Sequence, residues 1–357
     1  MKHHSYDTLF EFARNVFLKM GCPPKDAQIA TETLLSADLR GVDSHGVARL
    51  SGYVRLWKKE RINAKPQIKV VHETPSTAVV DGDAGLGLVV APFAMQVAIE
   101  KAEKCGTGWV AVKNSNHYGI AGHHAMQALA HDMIGISMTN ASPLVSPTFS
   151  KERMLGTNPI AVAIPAKEQP PFVGDFATTT AANGKLEILQ RKGEAAPEGW
   201  LQDEQGFMTT AADGVKQGGA LRPLGGDKLH GSHKGYILGS VVDIFSAVLS
   251  GANYGPWAPP FVSFLDPVSD PVGEGLGHFF GAMRIDAFRP ADTFKEHMDQ
   301  WITRFRNAEK VDEAQAVVIP GDPEREMENK RRKEGIPLLP VVEEDLKALA
   351  KSFDLTF

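Results

Sequence analysis

The chain has 357 residues, 43% of them hydrophobic and 23% charged, and a formal net charge of -5. That length exceeds one minimal core and points to two domains, one of them built from both chain ends. A mildly acidic balance without basic tracts excludes nucleic acid as a partner, and no apolar run approaches the ~20 residues that span a bilayer.

In chain order, apolar periodicity predicts helices over 6–20 and 25–40. Leu9, Phe10, Ala13, Val16, Phe17 and Met20 recur at helical spacing, and Gly21 with Pro23-Pro24 separates the two helices. Cys22 and Cys105 are the only cysteines. They read as reduced, structural thiols, and without a signal-peptide pattern at the start a cytoplasmic protein is expected. A third helix is predicted from Ser44, its N-cap, to about Lys59.

From Ile68 the texture changes. β-like runs occur at Ile68–Val71, Thr77–Val80, Trp109–Val112, Ile134–Met138, Ile160–Ile164 and Phe172–Val173. Helical stretches at 90–104 and 120–131 separate some of them, which indicates an α/β fold. Residues 193–226, rich in Gly, Pro and Asp, read as a long excursion with little regular structure, of the kind that carries function. An apolar helix follows at 234–250, then helices at 291–308, 324–334 and 342–352. All-helical ends thus bracket an α/β middle, which predicts an α/β domain over 71–230 and a helical domain from 1–70 plus 231–357. The cationic run Lys330 to Lys333, flanked by Glu326, Glu328 and Glu334, reads as a solvated helix face.

The segment D-G-D-A-G-L-G-L at 81–88 follows an apolar strand and precedes an apolar helix. Its glycines are spaced G-x-x-G-x-G rather than G-x-G-x-x-G, and no acid closes the next strand, which ends in Lys113-Asn114. A tight turn with glycines at positive φ explains it, and an ordinary Rossmann fold is disfavoured.

The segment R-G-V-D-S-H-G-V-A-R at 40–49 is richer in chemistry. On a helix capped by Ser44, His45 and Arg49 share one face. Arg49 can grip a carboxylate through two parallel hydrogen bonds, and His45 can exchange a proton with the neighbouring oxygen. A helix N-terminus also lowers a histidine's pKa. The alternative is a capping His with a surface Arg. The turn N-S-N-H-Y-G at 114–119 puts His117 at a strand's carboxyl end, where α/β proteins place ligands, and His123-His124 follow. A metal cluster is the rival reading, although no compact zinc spacing fits. The turns at 156–160 and 175–185 offer N–H groups and hydroxyls to an anion. Lys234 opens the 234–250 helix, where its charge opposes the dipole. Either an external anion holds it or it is a snorkelling structural lysine.

Together these motifs resemble the malate/L-lactate dehydrogenase family, which also contains ureidoglycolate and sulfolactate dehydrogenases, diketogulonate reductase and cyclic imino-acid reductases. The resemblance runs through D-S-H-G-V-A-R-L at 43–50, V-D-G-D-A-G-L-G at 80–87, N-H-Y-G at 116–119 and G-T-N-P at 156–159. It continues through D-F-A-T-T-T-A-A-N-G-K at 175–185, H-K-G-Y at 233–236 and P-G-D-P-E at 320–324. It implies a non-Rossmann fold with a central α/β cofactor domain, a helical domain formed by both chain ends, and a site near a homodimer interface. It also implies reversible hydride transfer between NAD or NADP and a small 2-hydroxy/2-oxo acid, with malate/oxaloacetate first and lactate/pyruvate second. Reduction of a cyclic imino acid is the alternative, and a metal-binding non-dehydrogenase a remote one. By motif, His117 resembles the family's proton carrier, with Ser44, His45 and Arg49 on the substrate side. Asp175, Phe176, Ala177, Lys234, Gly321, Asp322 and Pro323 resemble cofactor contacts, with Asn140 and Ser142 in a looser segment. No metal is implied. Two departures bear on the pockets: His233 precedes Lys234, and the Trp257-Ala-Pro-Pro loop with Tyr254 is unusual.

Overall fold

The computed structural model describes residues 1–357 apart from the side chain of Arg191; the sequence offers Arg191-Lys192 either to a 2′-phosphate or to solvent, and the Arg191 side chain lies outside the described residues. Short pairing of β1 (Lys2–His4) with β12 (Ile336–Leu338) ties the two chain ends together. Helices α1 (Tyr6–Lys19) and α2 (Pro24–Leu39) follow β1. Ser5 caps α1 by accepting the Thr8 N–H at 3.1 Å, and Gly21 at φ +96° ends the connection. Leu9, Phe12, Ala13, Val16 and Phe17 form its buried stripe, each large side chain contributing roughly 1.5–3 kcal/mol. They pack with α2, with α3 (Leu50–Lys58) and with α10 (Pro340–Phe353), in one cluster of buried residues drawn from both ends of the chain.

The second core surrounds a seven-stranded sheet. Its strands are β2 (Lys69–Glu73), β3 (Thr77–Asp81), β4 (Thr107–Ser115), β5 (Met133–Thr139), β6 (Ile160–Ile164), β7 (Phe172–Phe176) and β11 (Leu276–Arg284). The order is β2-β3-β4-β11-β5-β6-β7, and only β3–β4 is parallel. Helix α4 (Gly87–Cys105) and the short α5 (Ala121–Met126) cover one face. A sheet this largely antiparallel is not a Rossmann sheet.

Strand β11 corrects the reading of all-helical ends. It lies at the sheet's centre, between β4 and β5, although it comes from the C-terminal part of the chain. Its sequence, L-G-H-F-F-G-A-M-R, is buried on both faces and carries two glycines, so it lacks the alternation of a half-buried strand. The excursion is also more regular than expected. After α6 (Asn183–Lys192) it forms a three-stranded sheet of β8 (Leu201–Gln202), β9 (Met208–Thr209) and β10 (Ala220–Leu221) over a small third core. Helix α7 (Ser232–Asp243) runs into a π turn at Ile244–Val248, and α8 (Ala291–Arg306) and α9 (Asp322–Glu334) complete the fold. No helix is long and apolar enough to cross a membrane among the described residues.

The 81–88 glycines play a different part from the one expected. The positive φ values fall on Asp83 and Ala84, at 50° and 55°. The glycines allow close approach instead: a Cβ on Gly87 would lie 2.0 Å from the Asn116 carbonyl oxygen, so this turn packs directly under the His117 segment.

Candidate active site

The helix predicted from Ser44 begins instead at Leu50. Asp43–His45 and Val47–Arg49 form two separate 3-10 turns joined at Gly46, whose φ -90°, ψ -142° breaks any helix. The cause lies beneath the turn. Asp38, at the end of α2, is buried and accepts the Val47 N–H at 2.8 Å. A Cβ on Gly46 would lie 2.1 Å from that carboxylate, so only glycine fits. Burial pushes Asp38 up to about 8. From the other side, Arg331 of α9 donates to the Asp43 carboxylate and to the Asp38 carbonyl. Arg331 is thus a buried strut, which corrects the reading of its cationic run as wholly solvated.

The shared helix face and helical cap therefore do not exist, yet the turn still brings the chemical groups together. Ser44 Oγ bonds His45 Nδ1 at 2.9 Å instead of capping. Arg49 Nε donates to the Ser44 carbonyl, and its Nη2 approaches Glu187 of α6 at 3.5 Å. The His45 and His117 rings stack with centroids 5.6 Å apart at 23°. Both rings are half-buried. Burial first and Arg49 second lower His45 to about 4, so the helix dipole is not the cause. Burial, then His45 and Arg49, hold His117 well below the ordinary range. Both imidazoles are neutral at pH 7.

His117 is fixed on one side only. Its Nδ1 shares a 2.7 Å hydrogen bond with the Tyr53 hydroxyl, and the Gly119 N–H points at the same nitrogen from 3.4 Å. Phe261 covers the ring at 4.6 Å. Among the described residues, neither His45 Nε2 nor His117 Nε2 has a protein partner. Two unpartnered imidazole nitrogens on stacked rings thus lie near a guanidinium, an arrangement that can pass a proton to and from an oxygen while holding an adjacent carboxylate.

Several contributors escaped the sequence reading. Tyr53 lies among the buried residues of α3, and an aromatic at such a position carries no sequence signal beyond core packing. Phe261 follows the Trp257-Ala-Pro-Pro loop and is held by three groups: Ser142 Oγ accepts its N–H at 2.9 Å, Arg55 binds its carbonyl, and Arg61 binds the carbonyls of Pro259 and Pro260. The loop's two prolines were the available signal. Asp38 gave none, since an acid at a helix end is ordinary.

The expected cofactor residues cluster at the exposed end of β7. Asp175 accepts the Gly122 N–H at 2.7 Å and so caps α5. Surrounding protein raises it to about 6, although the residue retains solvent-exposed surface. Phe176 is 45% exposed, leaving an open aromatic face. Val173 N–H bonds the Pro320 carbonyl at 3.0 Å, which sets Gly321, Asp322 and Pro323 beside β7. On the other side, the Thr178 carbonyl accepts the Leu224 N–H, and a Cβ on Gly239 of α7 would touch Thr178 Oγ1. Lys234 stands exposed in the first turn of α7, and its Nζ has no acceptor among the described residues. That ammonium, the free N–H groups of the turn and the bare Phe176 ring suit a phosphate-bearing aromatic cofactor.

Asn140 and Asp322 are otherwise engaged. Asn140 bonds Asn253, Gly277 and Asp243, and Asp322 pairs with Arg306 and Arg325. His123 and His124 cross at 87°, and no three His, Cys, Asp or Glu side chains converge as metal ligands among the described residues.

Comparison with known proteins gives consistent matches. The family described as malate/L-lactate dehydrogenase matches residues 4–347. The chain is 45% identical to a malate dehydrogenase of Pyrococcus abyssi over 346 residues, covering 97% of this chain and 93% of that protein. It is 37% identical to an L-sulfolactate dehydrogenase of Methanocaldococcus jannaschii over 342 residues, covering 96% and 94%. The structure of malate dehydrogenase from Pyrococcus horikoshii OT3 superposes with a TM-score of 0.90 at 42% identity, covering 99% of this chain and 96% of that one.

Proposed function

This chain belongs to the malate/L-lactate dehydrogenase family, a family of hydroxyacid dehydrogenases, and from that premise we propose that it interconverts an (S)-2-hydroxy acid and its 2-oxo acid, malate/oxaloacetate foremost. The observation that carries this reading is the stacked pair of neutral imidazoles with unpartnered Nε2 atoms beside Arg49.

Arg49 anchors the substrate carboxylate. Its Nη2 makes only a long contact to Glu187, which a carboxylate in bidentate geometry displaces. His117 Nε2 takes the C2 hydroxyl proton during oxidation and returns it during reduction. As it does so, Nδ1–H donates to the Tyr53 oxygen, which steadies the imidazolium. His45, held by Ser44, orients the same oxygen through its own Nε2. Lys234, Phe176 and the main chain around Asp175, Ala177, Gly321 and Pro323 would hold a nicotinamide cofactor, NAD or NADP. When bound, that cofactor supplies the hydride acceptor or donor.

A homodimer is part of the same proposal. Ile237, Val241, Ile244 and Val248 recur along one side of α7 and its π turn and are 37–58% exposed, an apolar stripe that a second copy would cover. Light scattering of an Ile237→Asp variant tests it, and an unaltered dimer mass would remove this face from the interface.

The deciding experiment is a panel of oxaloacetate, pyruvate and a cyclic imino acid, each run with NADH and with NADPH. Turnover is expected to be fastest with oxaloacetate. Faster turnover of the imine would replace this reading.

A further inference from the structure

Beside the histidine pair, a cavity of about 430 Å³ opens between α3, α6 and the segment after Phe261. Arg49, Arg55 and Lys216 line it, with Glu187, Gln190 and Phe261. Its charges do not cancel. Glu187 faces Arg49 and also accepts from Asn183 at 2.9 Å. Arg55 binds the Phe261 carbonyl, and Lys216 donates to the neutral Gln190 amide oxygen at 2.7 Å. Among the described residues, neither Arg55 nor Lys216 pairs with a carboxylate. The cavity is also linked to the histidine pair: Phe261 lies on His117, and Arg49 bonds the carbonyl of Ser44, whose hydroxyl holds His45.

We propose that Arg55 and Lys216 form a second anion subsite, which takes the distal acidic group of a dianionic 2-hydroxy acid. This rests on the hydroxy-acid reading above and narrows it. A monoanion such as pyruvate uses Arg49 alone and leaves two like charges facing one cavity. A dianion neutralises both ends, and the Phe261 ring supplies an apolar wall for the carbons between them. The cavity's size suits such a small ligand. A cofactor phosphate has the same charge chemistry, so the experiment separates the two sources.

Calorimetric titration of succinate and of propionate into the wild type, K216M and R55M needs no turnover. Succinate is expected to bind the wild type roughly tenfold more tightly than propionate, the scale of one charge-assisted hydrogen bond. Both variants should erase that advantage. In kinetics, K216M should lower the oxaloacetate-to-pyruvate ratio of kcat/KM by about tenfold. Lys216 lies on the exposed excursion and bonds only Gln190, so K216M separates a subsite effect from misfolding. Equal binding of succinate and propionate to the wild type overturns the proposal even if oxaloacetate is turned over. So does a K216M variant that raises the cofactor KM while leaving the substrate ratio intact. A wild type that prefers succinate yet reduces no 2-oxo acid keeps the subsite and removes the hydroxy-acid reading.

Discussion

Two histidine clusters lie back to back at the end of β4. In front, the half-buried rings of His45 and His117 stack on each other. Behind, the buried Tyr118 stacks on His278 of β11 and tilts against His124 of α5, with centroids 4.7 Å and 4.6 Å away. Burial lowers the pKa of every histidine in both groups, so perturbation alone does not separate them. Their nitrogens do. His278 is bonded at both ends, Nδ1 to Thr139 and Nε2 to Ser115, each at 2.7 Å. His124 donates from Nε2 to the Tyr118 carbonyl at 2.8 Å and seals its other nitrogen in the core. In the front pair each ring is held by Nδ1, and its Nε2 has no protein partner among the described residues. A depressed pKa marks burial, whereas a free nitrogen with a route to solvent marks a place where a proton can move.

The sharpest way to break this contrast is to remove one histidine from each side. His117→Ala should lower kcat by about 10²- to 10⁴-fold with little change in melting temperature. His278→Ala should do the reverse. It opens a cavity and removes one hydrogen bond from each of the buried Thr139 and Ser115 hydroxyls, a loss of roughly 3 kcal/mol, while kcat measured well below the transition stays close to wild type. If both variants fail in the same assay, the two clusters are not distinct.

Gly46→Ala comes next, because the added methyl collides with the Asp38 carboxylate and displaces the turn carrying Ser44, His45 and Arg49. A loss of about 2 kcal/mol or more and a raised substrate KM are expected. A crystal structure of the variant with an undisturbed turn would contradict the account of Asp38.

A smaller effect belongs to Tyr53→Phe. Without the phenolic oxygen, the His117 imidazolium loses its Nδ1 acceptor. The acid limb of kcat/KM for hydroxy-acid oxidation should then move to lower pH, with roughly a tenfold loss in rate. An unmoved limb with a reduced rate would leave Tyr53 as packing only.

Stability against pH carries the gentlest signal. His45 and His123 are lowered to about 4 and His278 to about 3, with His117 and His124 lowered as well. Between those values and 6.5 the unfolded chain binds more protons at these sites, so they make stability fall as pH drops through that window. Asp38, raised to about 8, and Asp175 and Asp243, raised to about 6, act oppositely, because the folded state holds their protons. Five histidines against three carboxyls predict a lower melting temperature at pH 5 than at pH 6.5. Asp38 adds a decline from 6.5 toward 8 that Asp38→Asn should abolish. A melting temperature that rises steadily through pH 8 would contradict the protonated Asp38.

The sequence alone determined the broad class, most element positions and the motifs that gather at the site. Helical and strand periodicities are local, and they showed where α1, α2, β3 and β6 lie. Ordered short motifs, D-S-H-G and N-H-Y-G among them, marked two turns that the structure brings together, with His45 stacked on His117. The glycine spacing at 82–87 correctly argued against a Rossmann sheet. Tertiary structure decided the rest, because the deciding contacts join residues far apart in the chain. Strand β11 reaches the sheet's centre across more than 100 residues of intervening chain from β5. Gly46 must be glycine because of Asp38, His117 is held by Tyr53, and Phe261 reaches His117 through a loop that two arginines fasten. An i,i+4 spacing placed His45 and Arg49 on one helical face. What brings them together is a buried carboxylate that breaks that helix and closes the turn around them.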